Sequence, residues 1–129
     1  LFASHKAPFC ICLAAIAVFM NEVKGNNALA LSRDLDMSHE ACWVLLHKVR
    51  EAMAEEFKGR KVGGAGKVAE VDGAYFGGYL LRYAQEAAYR EDARRVDNGA
   101  QVRRVTELAL KRGPSVDFAG YYQRHVKAA

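Results

Sequence analysis

The sequence predicts a mainly α-helical protein with one short β segment, and three observations carry that prediction. Residues 9–20 form an unbroken apolar run bounded by Pro8 and by Asn21-Glu22. Residues 39–57 repeat apolar side chains at spacings of three and four, the signature of a helix with one buried stripe. Residues 68–76, VAEVDGAYF, carry β-type residues that end in Asp72-Gly73 and are followed by the pair Gly77-Gly78.

Pro8 suits the first turn of a helix, and the apolar run reaches Val23 before Gly25 stops it. After Asn26-Asn27, the stretch ALALSRDL makes a short helix with Leu29, Leu31 and Leu35 apolar. Asp36-Met37 forms a tight connection to Ser38, a natural N-cap for a long helix over 39–57. Cys42, Leu45, Leu46, Val49, Met53 and Phe57 supply its buried stripe, and Glu40, His47, Lys48, Glu51 and Glu55 its solvent face. A short second helix, a tight turn and a long third helix make residues 1–58 a helix-turn-helix-like bundle.

Residues 59–67, GRKVGGAGK, hold four glycines without a complete phosphate-loop pattern and read as a linker, so 59–78 joins linker and strand. Residues 79–129 form a basic helical tail. Leu80, Leu81, Ala84, Ala87 and Ala88 line one helix that stops near Asp97-Asn98-Gly99, and Val102, Val105, Leu108, Ala109 and Leu110 line the next, ended by Gly113-Pro114. Ser115 can cap a last short helix with Phe118, Tyr121 and Tyr122.

Charge is unevenly spread over the 129 residues. Residues 1–57 hold 5 basic and 7 acidic side chains and residues 79–129 hold 10 and 6, within a net charge of +4. That excess fits either a polyanion-binding surface or, more simply, a solvated helical one. Cys10, Cys12 and Cys42 lack metal-site or disulfide spacing and read as small buried side chains in a reducing, cytoplasmic setting. The 12-residue apolar run is too short to cross a bilayer. A start at Leu1 in place of Met points to a fragment or a processed chain.

If the bundle binds DNA, the N-terminal turn of helix 39–57 faces base edges, which nominates Ser38, His39, Glu40 and Trp43, with Arg50 beside them. The acidic balance of residues 1–57 opposes this, because phosphate attraction supplies most non-specific affinity. Arg94 and Arg95 are the tail's candidates for phosphate contact. Asp72, at the end of a strand with glycines beyond it, is a candidate metal ligand, but two-metal phosphoryl transfer needs several converging carboxylates. The acids after it all lie on helix patterns or at their ends.

The stretch ALSRDLDMSHEACWVLLHKVREAM, then GKVAEVDGAYFGG, and the tail YLLRYAQEAAYREDARRVDNG together resemble the ISXO-type group of bacterial insertion-sequence transposases. The resemblance covers nearly the whole chain. It implies a DDE-type catalytic domain of ribonuclease-H-like fold, of which 68–76 would be the first strand and Asp72 the first catalytic carboxylate and Mg²⁺ ligand. It also implies DNA at insertion-element ends as partner, with a second copy or an intact transposase as possible protein partners. Gly73 stands where the group often has an acid, and the block carrying the second and third metal ligands is missing between Gly78 and Tyr79. The resemblance therefore implies an internally deleted remnant without strand-transfer activity, or alternatively a DNA-binding or dimerising regulator of an intact transposase.

Overall fold

Pro8 stands at the start of helix α1 (Phe9–Asn21), where its missing N–H costs no helical hydrogen bond. The computed structural model describes residues 1–2, 6–22, 26–59, 66, 79–115 and 117–118. Along α1 the buried residues Cys12, Ala15, Ile16, Phe19 and Met20 recur at intervals of three and four, one stripe turned inward. Helix α2 (Ala28–Asp34) is capped by Asn27, whose side chain accepts a hydrogen bond from the Ala30 N–H at 2.7 Å. Asp36 then adopts a left-handed φ of 49°, which a short Asp side chain tolerates, and redirects the chain.

Ser38 Oγ accepts from the Ala41 N–H at 3.2 Å and starts α3 (His39–Ala54), as the sequence predicts. A 3-10 turn over Glu55–Phe57 follows. Helices α4 (Leu80–Ala93) and α5 (Asn98–Lys111) follow, joined by a short connection, α4 packing on α3 and α5 on α1 and α3. Asp97 caps α5 by accepting from the Ala100 N–H at 3.2 Å, and the Gln101 side chain donates to the carbonyls of Ala93 and Val96 at 3.0 and 2.8 Å. The Ala93 carbonyl also accepts from the Val96 N–H at 2.8 Å, so these bonds fix the connection between the two helices.

Helix α3 is the axis of the bundle and packs against α1, α2, α4 and α5. Phe19, Ile16, Leu31, Leu45, Val49 and Val105 are among the side chains it helps to bury completely. Eleven of its 16 residues are buried, including His47, Lys48, Arg50 and Glu51. The solvent face expected for α3 is thus corrected: Glu40 is exposed, but α4 and α5 pack over its middle turns, whose polar residues are buried.

Helix α4 is turned the other way from the sequence expectation. Leu80 and Leu81 are 52% and 69% exposed, and Ala84, Ala87 and Ala88 also face solvent. Glu86, Tyr89 and Ala93 are the buried residues, because the helix is oriented by its charged contacts with α3. On α5 Val105 and Ala109 are buried as expected, whereas Leu110 is exposed. Cys12 and Cys42 are buried and Cys10 is exposed, all three as free thiols.

The expected fold class needs correction. Every regular element among the described residues is helical, so no sheet is present there to which a ribonuclease-H-like remnant could belong. The strand expected over 68–76, and Asp72 with it, lies outside the described residues, as do Tyr121 and Tyr122. No described helix is long and apolar enough to cross a membrane.

Candidate functional site

Three clusters of polar and aromatic side chains meet on the buried polar face of α3. In the first, Arg50 Nε donates to Glu86 Oε2 at 2.5 Å, and Arg90 Nε donates to Glu86 Oε1 at 2.9 Å from one turn along α4. The remaining Arg90 nitrogens donate to the carbonyls of Glu22 and Phe19 at 2.7 and 2.9 Å. A guanidinium there suits the negative end of the α1 dipole. The Arg50 guanidinium lies 4.5 Å from the Tyr83 ring centre and 5.4 Å from that of Phe19, so its apolar faces are covered as its edge is paired.

Glu51 centres the second cluster. Arg112 Nε donates to one of its oxygens at 3.1 Å and Ser115 Oγ to the other at 2.5 Å, with Arg82 Nη1 3.7 Å from the same carboxylate. Arg112 also pairs with Glu55, and Arg82 with Asp117. Ser115 Oγ in turn accepts from the Phe118 N–H at 3.1 Å and fixes the turn that brings Phe118 onto α3.

Phe118 completes the third cluster, an aromatic cage around His47. Ring centres of Trp43, Tyr79, Phe118 and Tyr83 lie 4.3, 4.5, 5.5 and 5.8 Å from that of His47. The imidazole is fully buried and neither ring nitrogen has a hydrogen-bond partner among the described residues. Burial, reinforced by the guanidinium groups of Arg50 and Arg82 and opposed by Asp117, lowers its pKa to about 4, so the ring is neutral at neutral pH.

Lys48 is buried beside these clusters, and burial lowers its pKa. Burial raises the thiol pKa of Cys12 and of Cys42, which keeps both protonated and unreactive at neutral pH. Glu51 and Glu86 are occupied by guanidinium groups and are poorly placed to act as bases. A shallow groove of about 220 Å³ opens between the 3-10 turn, α4 and α5, lined by Glu56, Phe57, Tyr89, Val96 and Arg104, and Arg104 pairs with Glu56 across it. Among the described residues no group of three or more His, Cys, Asp or Glu is arranged to hold a metal ion.

The residues nominated from the sequence are dispersed. Ser38 is engaged as a cap, His39 and Glu40 are exposed, and Trp43 is half-buried in the His47 cage. Arg50 does not share the exposed edge with them; it is buried against Glu86. Arg94 is exposed and 3.2 Å from Glu91, Arg95 is exposed, and Asp72 lies outside the described residues. Sequence reasoning missed Glu51, Glu86, Arg82, Arg112 and Ser115. The available signal was the charge partition, since an acidic first half and a basic second half are what two mutually pairing surfaces require.

No family model matches the chain, and neither does any curated protein or solved structure. Together with the wholly helical architecture of the described residues, that result overturns the resemblance to ISXO-type transposases. The roles implied by it fall away: strand transfer, a DDE centre, a ribonuclease-H-like domain and an internal deletion near Gly78.

Proposed function

We propose that the chain is a helical module that binds the backbone of a polyanion, duplex DNA in the first instance, without reading bases through α3. The carrying observation is that Arg95 and Arg103 are exposed and make no ion pair with any described residue, while Arg50, Arg82, Arg90 and Arg112 are occupied inside the bundle. Arg94 is exposed as well, in contact with Glu91. Base reading by α3 would be left to its open first turn, where the charged side chain is the acidic Glu40, which repels phosphate.

The charge count limits the strength of that contact. Lysines, arginines and acids balance among the described residues, 13 against 13. The net +4 is carried by Lys24, Arg60, Lys61, Lys67, Arg124 and Lys127 against Glu70 and Asp72. Glu91, Asp92, Asp97 and Glu107 offset the arginines of α4, α5 and their connection, so the contact is weak and strongly salt-dependent.

A fluorescence-anisotropy salt series on duplexes of unrelated sequence tests this. Each phosphate neutralised contributes roughly −0.9 to the slope of log affinity against log salt. Replacing Arg95 and Arg103 with Ala should flatten the slope by roughly 0.9 per arginine that contacts phosphate, equally on every duplex. An unchanged slope, or strong sequence preference abolished by His39→Ala, contradicts the reading.

A further inference from the structure

Two orphaned polar atoms on a fully buried imidazole are uncommon, because buried polar groups nearly always find partners. His47 is held neutral in its cage by a surrounding that has little to offer an imidazolium. On its own helix stands Arg50; α4 brings Arg82, whose Nη1 is 3.5 Å from the His47 carbonyl, with the phenol Tyr83, and Tyr79 precedes it; the 115–118 turn brings Asp117, which is already paired with Arg82. The faces of Tyr83 and Phe118, which could receive a cation, are approached by the guanidinium groups of Arg50 and Arg82 at 4.5 and 5.6 Å. A proton on His47 would add a positive charge beside two guanidinium groups that already hold the nearby carboxylates of Glu86 and Asp117.

We propose that His47 is an acid-sensitive latch: as the neutral ring it holds α3, the start of α4 and Phe118 together, and as the imidazolium it opens that contact and releases Phe118. The linkage has a definite sign. The folded-state pKa, about 4, lies below the ordinary value of 6.5, so between those values the opened state binds more protons than the closed one. Closure is therefore fully favoured above about pH 6.5 and weakens as pH falls toward 4, by up to about tenfold in equilibrium constant per unit.

Trp43, the single tryptophan, lies against the His47 ring and reports the opening directly. Denaturant titrations followed by its fluorescence at pH 7, 6 and 5, on the chain and on His47→Phe and His47→Gln, should show the wild-type unfolding constant rising several-fold more per pH unit than that of either variant. His39 is exposed and is retained in the variants, as are His5 and His125, so the difference isolates His47. NMR titration of the His47 ring in the unmodified chain requires no variant to fold. The latch predicts a ring that stays neutral in the closed state down to about pH 5. A ring titrating near 6.5 with the fold intact, or equal pH slopes for the chain and its variants, overturns the proposal.

Discussion

The two buried faces of α3 reach the same dryness by opposite chemistry. On one, Cys42, Leu45, Leu46, Val49 and Met53 pack into a continuous apolar core that includes Phe19, Leu31 and Val105. On the other, His47, Arg50 and Glu51 are buried to a similar degree, but among guanidinium groups, a carboxylate and aromatic rings from α4 and residues 112–118. The apolar face gains by removal of area from water, about 25 cal/mol per Å², and asks only for shape. The polar face gains little net energy from its charges, since desolvation offsets attraction, but every member depends on its partner. The first face therefore favours collapse, and the second selects one arrangement of α4 and of the residues after α5 on it.

The largest expected effect lies on the polar face. Glu86→Ala leaves Arg50 buried without its carboxylate and should cost about 3–5 kcal/mol in a denaturant titration. The double change Arg50→Met with Glu86→Leu should recover part of that loss, because the buried Arg50 charge is removed with its partner while Arg90 keeps its bonds to the carbonyls of Glu22 and Phe19. If Glu86→Ala costs less than roughly 0.5 kcal/mol, as surface changes usually do, the pair is not buried and the comparison fails. On the apolar face, Leu46→Ala should cost about 2–5 kcal/mol by loss of contacts and formation of a cavity, with no apolar partner change able to restore it as simply. The smallest effect belongs to Arg103→Ala, which should stay within about 0.5 kcal/mol for stability while changing the salt dependence of polyanion binding.

The apolar face was legible in the sequence because its signal is local. Leu45, Leu46, Val49 and Met53 declare their stripe by spacing alone, and Ser38, Asp97 and Gly113-Pro114 mark helix ends through short-range backbone chemistry. The polar face was not legible in the same way. His47, Lys48 and Glu51 look like a solvent face until partners from 35 to 64 residues away are known. Helix α4 shows why the error spreads: Leu80, Leu81 and Ala84 suggest the inner side by hydropathy, but Arg82, Glu86 and Arg90, spaced four apart, hold the inner side through pairing. The candidate site followed the same pattern. Exposed cations such as Arg95 could be nominated from composition, whereas the burial of Arg50 could only be read once α4 was in place.

Chemical labelling of the lysines tests the central claim most directly, because Lys48 sits on the disputed face of α3 and is 2% exposed while Lys6, Lys58 and Lys111 face solvent. Under native conditions a brief pulse of an amine-acetylating reagent, read out by peptide mass spectrometry, should modify the three exposed lysines and leave Lys48 protected until denaturant is added. Acetylation of Lys48 at the rate of Lys111 in the folded chain would place the polar face of α3 in solvent and contradict the account.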